Sequence, residues 1–183
     1  MKKKLLLLTV ALVTLVSLFS CNGNSGAGGK GLGTVYGDGI KAHIVYDTDK
    51  THSPDASAKL AQEMSNIIGS VAGYHPYIYK SSTAPDPNEI LVGETNRELS
   101  KIAKEALDKK IRNKVNTLEF DLEGWDEMVG YAVCSDGKSV AIVWSDWHIE
   151  EEAVKYFLEN FILGDSLRLE DGYVKTEIFS LQQ

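Results

Sequence analysis

The chain has 183 residues, 43% of them hydrophobic, which is enough for one domain with a substantial core. Its 26 acidic residues outnumber its 19 lysines and arginines, so the formal charge is −7. An acidic surface repels nucleic acid and anionic lipid headgroups, and neither class of partner is expected.

The first 21 residues have the pattern of a bacterial lipoprotein signal. Three lysines at 2–4 precede an apolar run over 5–19, and Ser20 stands directly before Cys21. A basic start, an apolar stretch of this length and a small residue before the cut are typical of a secretory signal. In lipoproteins the cysteine after the cut receives a diacylglyceryl group on its thiol and becomes the mature N-terminus. We therefore expect lipidation at Cys21.

This signal predicts the location of the protein and the division of the chain. We expect a signal peptide over 1–20, a lipid-anchored glycine-rich tether over 21–38, and a single α/β domain over 39–183. The expected location is the bacterial cell envelope, where the lipid on Cys21 holds the domain to a membrane facing the periplasm or the exterior. Losing three lysines and no acid with the signal takes the formal charge to −10. The alternatives are an uncleaved signal-anchor helix and cleavage without lipidation.

Strand and helix patterns alternate after the tether. Runs of β-forming residues predict strands, and apolar residues at three- and four-residue spacing predict amphipathic helices. The expected elements, in chain order, are a strand at 41–46, a helix capped by Ser53, strands at 76–79 and 89–93, a helix with a Thr95–Glu98 capping box, a strand at 117–120, a hairpin of 130–134 and 139–143 turning at Asp136-Gly137, a helix at 149–162, and tail strands at 167–169 and 173–179. The expected fold class is α/β (α+β), with a mixed β-sheet and about three helices.

Four stretches of this sequence carry a family resemblance. They are 60–63 leading into 71–76, the strand and helix start at 89–98, the strand start at 130–133 with its turn, and the helix at 153–159. Together they resemble the non-catalytic N-terminal α/β domain of bacterial α-glucuronidases and β-N-acetylhexosaminidases, over roughly 41–162. The resemblance implies a zincin-like topology without the zincin metal site, and a role in glycan processing.

The chain also departs from that family in two ways. In the family this domain precedes a (β/α)₈ barrel that carries the catalytic carboxylates, and the 183 residues hold no such barrel. The family's Ile-x-Gly after the second hairpin strand is replaced here by Trp-Ser-Asp-Trp at 144–147. The resemblance therefore implies a fold and a glycan-related setting, and it transfers no catalytic residue.

Acidic residues surround Trp125 in the segment 121–127. They are Asp121, Glu123, Asp126 and Glu127. Glycoside hydrolysis requires two carboxylates at a set separation across the scissile bond, so a small glycoside hydrolase using the Asp121–Glu127 carboxylates is an alternative function. Acidic residues near a turn are more often simply solvated. We assign no catalytic residue.

Two tryptophans are candidates for binding a glycan. Exposed indoles stack on sugar rings, and acidic side chains accept hydrogen bonds from sugar hydroxyls. The candidate glycan-binding residues are Trp125, Trp147, Asp126 and His148. The structural alternative is that Trp144 ends a core strand and that Trp147 packs over the start of the third helix.

Metal, cofactor and thiol chemistry are not indicated. The segment 148–152 departs from the His-Glu-x-x-His pattern of zinc proteases, and 47–58 lacks the glycine and glutamate of a calcium loop. No metal site and no cofactor are therefore expected. Cys134 lies in an apolar strand-like run and has no partner once Cys21 is acylated. A buried free thiol is expected there, and a nucleophilic cysteine is the alternative.

The sequence therefore predicts a non-catalytic surface lipoprotein. We expect an accessory, glycosidase-associated domain that binds either a glycan or a protein partner of the envelope. Against an enzyme stands the lack of a nucleophile–base motif, a metal-ligand set and a cofactor loop in the sequence.

Overall fold

The computed structural model describes residues 31–47, 54–117 and 127–181. These residues form one seven-stranded sheet with three α-helices. The elements are β1 (Leu32–Tyr36), β2 (His43–Tyr46), α1 (Pro54–Ala72), β3 (Ile78–Lys80), β4 (Glu89–Val92), α2 (Glu98–Thr117), β5 (Glu127–Asp136), β6 (Val140–Trp144), a short 3₁₀ helix (Trp147–Ile149), α3 (Glu150–Phe161) and β7 (Leu167–Leu181).

The sheet is mixed, with strand order β1-β7-β5-β6-β4-β2-β3. Strands β3, β2, β4 and β6 run parallel, while β5 pairs antiparallel with both β6 and β7, and β1 pairs antiparallel with β7. The predicted α/β class with a mixed sheet and three helices is confirmed. Among the described helices, none is long and apolar enough to cross a membrane.

Helices cover both faces of the sheet. On one face, α1 and α3 bury the apolar stripes expected from the sequence, among them Leu60, Met64 and Phe157. On the other face, α2 buries Ala103 and Leu107 against β5 and β6. The layers are therefore helix, sheet and helix, and the parallel strands are apolar on both sides, as such strands require.

Two predicted helix positions lie outside these buried stripes. Ile102 of α2 and Val71 of α1 fit the apolar spacing, yet they are 46% and 38% exposed. The helix start at Thr95 is also corrected, because α2 begins at Glu98. The Thr95 hydroxyl accepts the Arg97 N–H at 3.4 Å and pairs with the Ser100 hydroxyl at 2.7 Å, so it does not form the predicted capping box.

The predicted tether is corrected over its last residues. Leu32–Tyr36 form β1 and pair with β7, and Val35 and Tyr36 are fully buried. Glycine at position 33 reflects close packing, because a Cβ there would collide with the backbone carbonyl of Gly137. The Asn88 side chain also donates to the carbonyls of Thr34 and Val35, which ties β1 to the start of β4.

The tail and the stretch after α2 differ from the predicted strands. The predicted strands at 167–169 and 173–179 form one continuous strand, β7, with Gly172 at a positive φ of 79° and an irregularity in its pairing with β5. Of the predicted strand at 117–120, Thr117 ends α2, and 118–120 lie outside the described residues. The hairpin at Asp136-Gly137 is confirmed, with the Asp136 N–H donating to the Ser139 carbonyl.

A buried ion pair fastens α2 to the sheet. Arg97, just before α2, donates through Nε and Nη2 to both carboxylate oxygens of Glu89 at 2.8 and 2.9 Å. Its Nη1 also donates to the Ser81 carbonyl after β3 at 3.0 Å. Glu89 and Arg97 are 4% and 8% exposed, so the pair is shielded from solvent and has the two-point geometry that makes such bonds strong.

Replacing Arg97 with alanine tests this arrangement. Removing one partner of a buried pair leaves an uncompensated charge, so we expect Arg97→Ala to lower the free energy of unfolding by about 3–5 kcal/mol in urea titrations. Lys101→Ala is the control, because its pair with Glu98 is exposed, and we expect a change below about 0.5 kcal/mol. Equal effects of the two substitutions would contradict this role of Arg97.

Candidate functional site

The parallel strands β2, β4 and β6 end at one edge of the sheet, here called the carboxyl edge. Strand β2 leads into α1 on one face, whereas its neighbour β4 leads into α2 on the other face. Chain connections that leave adjacent strands in opposite directions open a crevice between them. Open α/β sheets bind ligands at this position.

A pocket of about 400 Å³ lies at this point of the carboxyl edge. Four of its lining residues are polar and at least nine-tenths buried: Asp47 (3% exposed), Ser81 (5%), Thr95 (4%) and Ser100 (1%). More exposed polar residues complete the lining, namely Glu94, Asn96, Lys101, Lys104 and Glu105. The pocket therefore offers hydroxyl, amide, carboxylate and ammonium groups together.

Backbone hydrogen bonds hold the floor of this pocket. The Asp47 N–H donates to the Val92 carbonyl at 3.3 Å, and the Thr95 N–H donates to the Gly93 carbonyl at 2.9 Å. Gly93 has a φ of +82°, a conformation that favours glycine. A Cβ at this position would lie 3.5 Å from the indole of Trp144, so the buried Trp144 ring backs the turn after β4.

Charges of both signs face each other across the rim of the pocket. The Lys104 ammonium lies 2.7 Å from the Asp108 carboxylate and 3.8 Å from that of Glu94. Lys104 and Glu94 are only partly exposed, at 24% and 33% of their side chains. A rim with acceptors next to donors suits a ligand whose groups both donate and accept, as hydroxyl groups do.

Trp147 and His148 follow β6 at the same carboxyl edge. Asp146 holds this turn, because its Oδ1 accepts the His148 N–H at 2.8 Å and lies 2.6 Å from the His148 ring nitrogen Nδ1. The imidazole stacks on the indole with ring centroids 3.5 Å apart at 31°. Trp147 remains 51% exposed. The turn therefore presents a rigid aromatic pair to solvent.

The two tryptophans of this segment have separate roles. Trp144 ends β6 at 8% exposure within the core, as the structural alternative predicted. Trp147 is half-exposed. Of the four candidate glycan-binding residues, Trp147 and His148 lie together, whereas Trp125 and Asp126 lie outside the described residues.

Other predicted residues also fall outside the described part of the chain. Cys21 does so, as do Asp121 and Glu123 of the alternative hydrolase site. Glu127 begins β5, but its side chain is not described. Within the described ranges, no group of three or more histidine, cysteine, aspartate or glutamate side chains is arranged to hold a metal ion.

The pocket was not anticipated from the sequence. The local pattern places Asp47 in a segment that lacks the residues of a calcium loop, and it predicts a capping box at Thr95. A signal was nevertheless present, because both residues directly follow apolar strands whose ends meet at one edge. The strand order that makes β2 and β4 neighbours was the missing information.

Comparison with known proteins adds no assignment to this site. No protein-family profile matches the chain, and no curated protein sequence is significantly similar to it.

Cys134 provides a direct test of whether thiol chemistry belongs to this domain. It is free and buried, as predicted, and burial raises the pKa of its thiol to about 11. At neutral pH the thiol is protonated, and a protonated thiol is a poor nucleophile. We expect a Cys21→Ser chain to react with a thiol reagent only after denaturation. Rapid labelling of the native protein would contradict the buried, inert assignment.

Proposed function

We propose that this chain is a non-catalytic lipoprotein of the bacterial cell envelope that binds a glycan at the carboxyl edge of its sheet. The observation that carries this proposal is the half-exposed indole of Trp147, held against His148 on the edge where α/β sheets bind ligands. The resemblance to the N-terminal domains of α-glucuronidases and β-N-acetylhexosaminidases supports a sugar ligand.

The size and lining of the pocket at the carboxyl edge support the same class of ligand. Its volume of about 400 Å³ lies within the range of small-molecule sites, roughly 300–1,000 Å³. The hydroxyl and carboxylate groups of its lining can exchange hydrogen bonds with a hydroxyl-rich ligand. The near balance of acidic and basic groups on the rim favours an uncharged sugar over a strongly charged ligand.

The indole of Trp147 suits a sugar ring better than an ion as its ligand. An indole offers a flat apolar face with one N–H group, which suits a ligand with apolar and polar sides. The Asp146 carboxylate fixes the adjacent imidazole, so little side-chain freedom remains to be lost on binding. The aromatic pair is therefore organised before the ligand arrives.

Replacing Trp147 tests the site. We expect Trp147→Ala to weaken binding to an oligosaccharide by about tenfold or more in calorimetric titrations over a broad glycan panel, because the stacking surface is lost. Tyr77→Ala is the matched control, since Tyr77 is 70% exposed but lies before β3, at the opposite edge of the sheet.

Two results would overturn this proposal. One is that the wild-type chain binds no member of the panel. The other is that Tyr77→Ala and Trp147→Ala weaken binding equally, which would mean that the glycan does not bind specifically at Trp147.

The membrane anchor is tested by Cys21→Ser. Two or more acyl chains hold a protein firmly to a bilayer, and without the acylated thiol this attachment is lost. We expect the variant to leave the membrane fraction in sedimentation assays, whereas Cys134→Ser, the matched control, remains bound. A Cys21→Ser protein that still sediments as an uncleaved precursor would establish the signal-anchor alternative.

A further inference from the structure

Helices α1 and α3 lie on the same face of the sheet and leave a groove of about 590 Å³ between them. The apolar residues of its walls come from both helices. They are Leu60 and Ile67 of α1 and Val154 and Leu158 of α3. This groove lies along the helices, and its lining residues are distinct from those of the carboxyl-edge pocket.

A buried carboxylate belongs to the lining of this groove. Glu150, the first residue of α3, is only 6% exposed. Within the described part of the chain, its side chain forms no hydrogen bond and no ion pair. Burial raises the pKa of this carboxyl group, and the nearby Glu151 raises it further. A charge that is largely shielded from water is stabilised by an opposite charge, in addition to the positive end of the helix dipole at which Glu150 stands.

The charges around the groove are mainly acidic. Lys59 and Lys155 are the lining cations, and Lys155 lies 3.8 Å from Glu159. The lining acids, with Glu150, are Glu63, Glu151 and Glu159. The groove is therefore lined by more acidic than basic side chains, and apolar side chains lie next to them. This combination complements a ligand that joins a positive charge to an aliphatic chain.

We propose that the groove between α1 and α3 binds a basic side chain, an arginine or a lysine, that a partner protein presents. The aliphatic stem lies along Leu60 and Leu158, and the charged head pairs with Glu150. Long basic side chains bury their stems against apolar surface in this way, and a guanidinium or ammonium group forms strong hydrogen bonds with a carboxylate. None of the residues proposed for glycan binding lines this groove.

A pair of small probes tests this chemistry. The full chain, labelled with ¹⁵N and purified in a non-ionic detergent, is titrated with n-propylguanidinium, which copies an arginine side chain, and with n-propylurea, its neutral isostere. We expect saturable amide shifts along α1 and α3, with the cation binding about tenfold more tightly than the urea because only the cation pairs with Glu150.

Two variants assign this preference to one residue. Glu150→Gln keeps the shape of the side chain and should abolish the preference for the cation. Glu151→Gln removes an exposed charge next to it and should retain the preference. Equal binding of the two probes, a preference that persists in Glu150→Gln, or equal loss in both variants would overturn the proposal.

Lowering the pH neutralises Glu150 in the wild-type chain, so the binding of the two probes can also be compared without a substitution. Glu63 and Lys59 face the groove from α1, and Glu151, Lys155 and Glu159 face it from α3. Because burial raises the pKa of Glu150, it takes up its proton before exposed glutamates do as the pH falls. The preference for the cation should disappear in that first step, and a preference unchanged through it would exclude Glu150 as the partner.

Discussion

The two-point ion pair between Glu89 and Arg97 is the interaction on which the arrangement of this domain depends most. Arg97 stands between β4 and α2, and its guanidinium reaches back to the first residue of β4 while also holding the carbonyl of Ser81. One side chain thereby fixes the end of β3, the start of β4 and the start of α2. The pocket at the carboxyl edge is lined by Ser81 and by residues on either side of Arg97, so its geometry depends on this pair.

The position of the pocket follows from chain connection more than from any single residue. Asp47, Gly93 and Trp144 end or follow three adjacent parallel strands, and the turn at Gly93 brings its backbone against the Trp144 indole. The buried indole and the exposed indole of Trp147 thus serve one edge in different ways. Trp144 supports the turn from within the core, and Trp147 follows the same strand as a half-exposed aromatic side chain.

Local patterns predicted most of the elements, whereas contacts between distant segments decided the rest. Periodicity located all three helices, and Asp136-Gly137 located the hairpin. Local patterns could not show that Leu32–Tyr36 form a strand, because a glycine at position 33 is also typical of a flexible tether. Its structural reason is the close packing against the backbone of Gly137, which is distant in sequence. The pocket at Asp47 likewise depends on strand order, which the residues themselves do not encode locally.

Two buried glutamates differ in whether their charge is paired within the fold or remains available to a ligand. Glu89 and Glu150 are almost equally buried, at 4% and 6% exposure. The first has both carboxylate oxygens bonded to Arg97, so its burial strengthens the fold. The second lines the groove between α1 and α3 and forms no ion pair within the described residues. Glu150 stands in the first turn of α3, where the positive end of the helix dipole favours a negative charge, and its carboxylate stays available to the basic side chain that we propose the groove to bind.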